Sequence, residues 1–382
     1  MTQNEIDERV NTLMKAFDEI NAFFITKIAL QVAKIGELTP SSASTITVMA
    51  QMNVDMAAIN AKLSQAMRIT VPGLHRLYRD IMQSNYHDPR FARALQESPL
   101  TPLQKARLNH YTETVSRQTA GSMMNLSNTT IASRAYRHVV DNAILAVSSG
   151  LTDYRSATRK SIRDLGHNGL QMQYPSGYHR RLDSAVRQNI IDGANQIAQN
   201  GSLMMGEELG YDAIELSAHA RSAPDHEPLQ GRVFLKDEFE KMQSNQPFMD
   251  VDGNHYSAIR RRIGDWNCMH IAMSFSTTRS VRRYSDKQLA DWAADNKRGC
   301  EIDGEHYTTY EAAQLMRHIE TMVRREKDTA NAARLVGDED LRKECQKRIN
   351  MLARKYADVA HASGLRMHKD RMSVEGFKMV KV

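Results

Sequence analysis

The stretch GYDAIELSAHARSAPDHEPLQGRVF, residues 210–234, is where the chain changes character. Before Gly210 apolar residues recur every three or four positions, as they do on one face of a helix. After it Ile214, Leu216 and Ala218 alternate with Glu215 and Ser217, the period of two that belongs to a strand. His219 falls at the end of that strand and His226 follows a proline turn at Pro224. The passage opens a compact mixed region in a chain whose other periodic stretches are helical.

Upstream, Ile6, Val10, Leu13, Phe17, Ile20, Phe24, Ile28, Val32 and Ile35 form the apolar stripe of one long amphipathic helix, which Gly36 ends. Thr39-Pro40 opens a second helix to about residue 67, and 71–82 reads as a third, short one. Pro89, Pro99 and Pro102 punctuate a looser connection, after which helices are expected over 103–124 and 131–147, the latter stopped by Ser149-Gly150. Two more are expected over 153–165 and 181–199, with a short strand through Leu170, Met172 and Tyr174 and a Pro175-Ser176-Gly177 turn between them.

Downstream, residues 251–257 and 302–308 each set an Asp-Gly pair between apolar residues. Such a pair supplies the positive backbone angles of a tight turn, so two β-hairpins are expected. Thr308 and Glu311 are spaced as a capping box ahead of Leu315, Ile319, Met322 and Val323. Gly337 stops that helix and Asp338 starts the next, whose stripe is Leu341, Cys345, Ile349, Leu352, Tyr356 and Val359. The pair should form an antiparallel helical hairpin, with a loosely held tail over 364–382. The fold class expected is mainly α with a small α+β unit. Its domains are an N-terminal helical region over 1–130, a helical approach over 131–210, the α+β core over 211–304, and a basic helical hairpin with its tail over 305–382.

Composition excludes several classes. With 382 residues, 41 % hydrophobic and 25 % charged, the chain has material for a core and is neither disordered nor fibrous. The longest apolar run, 23–33, is cut by Lys27, so no membrane span is expected, and the polar, acidic first residues do not resemble a secretory signal. Synthesis in the cytoplasm is the expectation. Cys268, Cys300 and Cys345 are an odd set at no regular interval and are read as free thiols. The net charge is +6. Residues 311–382 hold 16 basic and 11 acidic side chains, which places five of the six net charges in the last fifth of the chain. Arg324, Arg325, Lys327, Lys347, Arg348, Arg354 and Lys355 are assigned to the polar faces of the hairpin.

The chemistry-bearing residues concentrate around the opening stretch. Asp250, Asp252 and Asn254 begin like a calcium loop, but His255 stands where glycine is required and no Glu closes the loop. Nucleotide-binding, serine-hydrolase and zinc-protease strings do not occur. His219, His226, Cys268 and His270 could meet as nitrogen and sulfur ligands of zinc, although their spacing is that of no recognised zinc module. With His219 or His226 as general base and Arg221 stabilising an anion, the same residues would suit a nuclease-like or toxin-like enzyme. His, Asn and Arg side chains also tie irregular loops together by hydrogen bonds.

Glu215 to Phe234 together with Trp266-Asn267-Cys268-Met269-His270 resembles the signature of the second minor-capsid family of tailed bacteriophages, relatives of the phage Mu F-like head morphogenesis proteins. Upstream Ala135-Tyr136, Ser149-Gly150, Tyr154, Tyr174-Pro175-Ser176-Gly177, Leu182-Asp183 and Ala185-Val186-Arg187 resemble the family's approach to its strand. Tyr307-Thr308-Thr309-Tyr310-Glu311-Ala312, Arg317, Glu320 and Arg324 resemble its C-terminal helices, so the resemblance runs from about 130 to 375. Three departures stand out: Ser222 and Ala223 separate Arg221 from Pro224, Leu229 replaces an aromatic, and Met269 replaces a basic residue. A fixed active or metal site would tolerate a two-residue insertion poorly.

The resemblance implies a non-enzymatic structural virion protein of the phage head, present in few copies and assembled in the host cytoplasm. Its partners would be the portal and other capsid or scaffold proteins, with packaged DNA touched nonspecifically through the basic hairpin. No cofactor and no catalytic residue are expected. Glu215, His219, Arg221, Pro224, His226, Gln230, Gly231, Trp266, Asn267, Cys268 and His270 then form a structural motif, with zinc as a subsidiary candidate and the enzyme reading as the alternative.

Overall fold

The computed structural model describes residues 3–35, 42–127, 154–173, 179–264, 268 and 270–382. The helix expected over 131–147, Ala135-Tyr136, Ser149-Gly150, the Tyr174 to Gly177 turn, Trp266, Asn267 and Met269 lie outside the described residues. In chain order the elements are α1 (Gln3–Ile35), α2 (Ser42–Tyr86), α3 (Pro89–Glu97), α4 (Pro102–Ser127), α5 (Tyr154–Asn168), β1 (Gln171–Gln173), β2 (His179–Arg181) and α6 (Leu182–Glu208). There follow β3 (Ala213–Leu216), β4 (Val233–Leu235), α7 (Lys236–Gln243), β5 (Phe248–Met249), β6 (His255–Tyr256), β7 (Ala272–Phe275), α8 (Asp286–Arg298), β8 (Cys300–Ile302), β9 (Glu305–Tyr307), α9 (Thr309–Leu335) and α10 (Glu339–Ser363). The fold is mainly α with a small α+β unit, as the hydrophobic periods predict.

The α1 stripe is buried at Ile6, Val10, Phe17, Ile20, Phe24, Ile28 and Val32. One boundary differs from expectation. In place of two helices over 40–67 and 71–82 there is the single α2, which carries Pro72 in its interior. A proline there removes one backbone hydrogen bond and crowds the preceding turn. The apolar stripe nevertheless continues through it, with Ile59, Leu63 and Met67 buried before it and Leu74, Tyr78, Ile81 and Met82 after it. Burial on both sides holds the helix where local propensity would break it.

The residues group into two compact units, each assembled from separated segments. One comprises Met1–Val10, Pro72–Ala120 and Asn189–Ala313; the other comprises Asn11–Val71, Gly121–Gln188 and Gln314–Val382. The first contains the three-stranded antiparallel sheet in the order β4-β3-β7. Glu215 at its centre pairs with Val233 on one side and Met273 on the other. Ile214, Leu216, Phe234 and Ala272 join Phe239, Met242 and Phe248 in the core on one face of this sheet, and Ala213, Val233 and Phe275 pack on the other. The alternation after Gly210 is therefore real, but both faces are covered, and Glu215 is buried with them.

Helix α6 seals the exposed edge of β7. The backbone N–H of Ala272 donates to Gln199 Oε1 at 3.0 Å and that of Ser274 to Ser202 Oγ at 3.1 Å, satisfying groups that an open edge would present to another strand. Gly206 permits the approach, since a Cβ there would lie 2.0 Å from Ser274 Oγ. Both expected hairpins form, β5 with β6 and β8 with β9. Gly253 and Gly304 take positive φ angles of 85° and 82° in their turns.

In the second unit α9 and α10 form the expected helical hairpin. Gly337 takes φ 73° in the connection, and Asp338 caps α10 by accepting from the Leu341 N–H at 2.9 Å. At the head of α9 the Thr308 N–H donates to Glu311 Oε2 at 2.9 Å and the Glu311 N–H to Thr308 Oγ1 at 3.2 Å, the reciprocal pair of a capping box. Two expectations for this region need correction. The tail is held down: Lys327 Nζ donates to the Met372 carbonyl, Asn331 to the Glu375 carbonyl, and the Val380 N–H to Gln346 Oε1. Part of the basic face is also engaged by acids: Arg324 pairs with buried Asp183 at 2.8 Å and Arg348 with Glu326 at 3.4 Å. Lys343, Lys347 and Arg354 are exposed.

Candidate functional site

The site lies in the first unit, between the end of β3 and the start of β7. After Leu216 the strand gives way to a loop closed on itself by backbone hydrogen bonds. The Leu216 N–H donates to the Arg232 carbonyl and the Gly231 N–H to the Leu216 carbonyl, each at 3.0 Å, while the Ser217 N–H donates to the Ile271 carbonyl at 2.9 Å. A short 3-10 turn over Glu227–Leu229 follows His226. Gly231 has φ 67°, and a Cβ there would stand 2.8 Å from Leu289 of α8, so glycine is needed both for the turn and for the contact.

Three side chains able to hold a metal ion converge inside this loop: His226, Cys268 and His270, all buried, with ligand atoms within 4.8 Å of one another. Cys268 Sγ lies 3.4 Å from His226 Nδ1 and 3.7 Å from His270 Nδ1. The outer ring nitrogens face acceptors. His226 Nε2 donates to the Arg261 carbonyl at 2.8 Å. His270 Nε2 stands 3.3 Å from Ser222 Oγ and 3.5 Å from Gln230 Oε1. Gln230 Oε1 also accepts the His219 backbone N–H at 3.0 Å.

Of the candidates read from the sequence, His219 is beside the trio but outside it, its ring stacked on that of His270 with centroids 4.6 Å apart. Arg221 and Pro224 are exposed on the loop. Glu215 is fully buried on β3, where its Oε1 accepts the Arg283 N–H at 2.7 Å. Burial raises its carboxyl above the ordinary range.

Two residues of the site were not among the candidates read from the sequence. Ser222, half of the insertion that sets this chain apart, is fully buried with its hydroxyl at His270. Asn296 of α8 donates to Glu227 Oε1 at 2.7 Å and to the Ser222 carbonyl at 3.4 Å, and its own Oδ1 accepts the Tyr310 N–H at 2.9 Å. It thereby ties the loop to the first turn of α9. The insertion is accommodated as part of the brace.

The electrostatics suit a closed site. Burial lowers His270 to about 3, with His219, His226 and Arg261 adding to the shift, so its imidazole is neutral. Burial raises the Cys268 thiol above its ordinary value, which leaves it protonated and a poor nucleophile. On the rim Arg261 makes a two-pronged pair with Asp225 at 3.0 and 2.8 Å. Cys300 and Cys345 are buried free thiols elsewhere.

The family model described as Phage minor capsid protein 2 matches residues 1–359 of this chain. No curated protein and no solved structure matches it. Among the described residues no helix is long and apolar enough to cross a membrane.

Proposed function

The chain belongs to the Phage minor capsid protein 2 family, and on that premise we propose that it is a low-copy component of the phage head that acts with the portal and procapsid by binding and not by catalysis. The family gives the coarser part: a structural protein of the virion that contacts other head proteins. The observation that carries the proposal is the extent of the match, residues 1–359, which takes in segments of both compact units and not the histidine loop alone. The burial of the cluster adds support. His226 is 0 % exposed and His270 3 %, a placement that favours bracing the loop over working on a substrate. In this reading the protein is assembled in the host cytoplasm, its long helices present surfaces to portal, scaffold or shell proteins, and its exposed basic residues meet packaged DNA without reading sequence.

Mass spectrometry of purified procapsids and mature virions tests the assignment. The protein should be found in few copies in at least one of the two, with cross-links to the portal. Absence from both would remove the head assignment, and cross-links confined to the shell would remove the portal part. The alternative, a nuclease or toxin-like enzyme using His219, Arg221, His226 and His270, is tested by incubating the pure protein with RNA and DNA. Cleavage lost in His226→Ala would overturn the binding reading.

A further inference from the structure

We propose that His226, Cys268 and His270 bind a structural zinc ion, His226 and His270 through Nδ1 and Cys268 through its thiolate. The proposal is independent of the role in the phage head, and either can fail without the other.

The first argument is distance. Tetrahedral zinc with a sulfur at about 2.3 Å and an imidazole nitrogen at about 2.0–2.1 Å holds the two ligand atoms roughly 3.6 Å apart. The two separations here, 3.4 Å from Cys268 Sγ to His226 Nδ1 and 3.7 Å to His270 Nδ1, fall on either side of that value.

The second argument is the tautomer. A carbonyl can only accept, so His226 must carry its proton on Nε2, toward Arg261. At His270 the nearer neighbour of Nε2 is the Ser222 hydroxyl, which gives its proton to the Ala223 carbonyl at 3.3 Å, and Gln230 Oε1 already receives the His219 N–H; both favour the His270 proton on Nε2 as well. Both Nδ1 lone pairs therefore point at one sulfur. A cation placed between the three atoms would receive both lone pairs and the sulfur together. Metal-binding histidines commonly donate the far ring N–H to a carbonyl or amide oxygen, and both do so here.

The donor set selects the ion. Two imidazoles and a thiolate suit a borderline-soft tetrahedral cation and not magnesium or calcium, which require oxygens. Binding displaces the Cys268 proton to solvent, and the neutral imidazoles release none. The trio leaves one coordination position to another ligand. His226 and Cys268 are 42 positions apart, so the ion would pin the loop after β3 to the segment leading into β7, closing a long loop as a cross-link does.

The test uses the full chain purified without added metal. Elemental analysis should find about one zinc per chain, falling to near zero in Cys268→Ser and His226→Ala and unchanged in Arg221→Ala. Protein produced in cobalt-supplemented medium supplies a readout that needs no buried substitution: the unaltered chain should show tetrahedral d–d absorption and a thiolate-to-cobalt band. Chelation should lower the melting midpoint of the unaltered chain and leave Cys268→Ser where it was. Zinc near zero in the unaltered chain, or cobalt protein without the thiolate band, would overturn the proposal.

Discussion

Arg181 and Asp328 form an ion pair inside the second unit, Nη2 to Oδ2 at 2.9 Å, with side-chain exposures of 7 % and 1 %. Arg181 ends β2 and Asp328 lies on α9, 147 positions away. Around them Asp183 accepts from Arg324 at 2.8 Å, and Asn21 of α1 donates to Asp328 at 3.2 Å while accepting the Leu170 N–H at 3.0 Å. The network joins α1, the β1–β2 hairpin, α6 and α9. Burial would raise the Asp183 carboxyl, but the Arg181 and Arg324 guanidiniums hold it well below the usual range. Burial raises Asp328, with Arg181 only partly opposing.

Removing one partner of such a network leaves a buried charge uncompensated, typically a loss of about 3–5 kcal/mol, whereas replacing both partners by apolar groups costs far less. Arg181→Met should therefore unfold at a markedly lower urea concentration than the unaltered chain, and Arg181→Met with Asp328→Leu should recover part of the difference. A double variant no more stable than Arg181→Met would show that the pair does not act as a unit.

Asp18 on α1 gives the network a pH dependence. Burial and the neighbouring Asp183 charge push its carboxyl up to about 6, against the opposing arginines 324, 187 and 181. A carboxyl raised in the folded state binds its proton more tightly there than in the unfolded chain. Its stabilising contribution is present below about pH 4 and lost as the pH rises through about 6. Asp18→Asn removes that loss. The variant should melt above the unaltered chain at pH 7, by an amount corresponding to roughly 1–3 kcal/mol, and the difference should vanish near pH 4. An equal gap at both pH values would assign the gain to something other than this titration.

One hydroxyl anchors the start of the tail to α10. Tyr356 of α10 donates to Glu320 Oε1 at 2.7 Å and accepts the His368 N–H at 2.9 Å. Tyr356→Phe strips both bonds and leaves the buried Glu320 carboxylate without this donor, a cost of about 1–3 kcal/mol. Trypsin should then cleave after Arg366 and Lys369 earlier than in the unaltered chain. Unchanged cleavage would mean that the contacts of Lys327, Asn331 and Gln346 hold the tail alone.

These residues also mark how far the sequence could be read. The α1 stripe, the two Asp-Gly turns and the capping box at Thr308 and Glu311 are local patterns, complete within a few residues, and the structure contains each of them. The break expected between 67 and 71 does not occur, because the burial that carries α2 through Pro72 comes from packing and is not visible in the local pattern. His226, Cys268 and His270 were identifiable by residue type. Ser222 and Asn296 were not, since small polar residues in loops and helices look alike until their partners are known. The buried ion pairing of Arg181, Asp183 and Asp328 has no local signature for the same reason.

The proposed contact of the basic hairpin with DNA can be tested through its salt dependence. Arg324, Lys327 and Arg348 are engaged by Asp183, the Met372 carbonyl, and Glu326 with Glu344. Lys343, Lys347 and Arg354 stay exposed, at spacings of four and seven that place them along one side of α10. Three cations that each neutralise one phosphate give a slope of log affinity against log salt of about −3 on duplex DNA, because roughly 0.9 counterions leave per contact. Duplexes of different sequence should bind alike, and Lys347→Glu with Arg354→Glu should abolish retention at low salt without lowering the melting midpoint, since neither side chain is buried. A slope much steeper than this, or binding that survives the double substitution, would place the DNA contact on another part of the chain.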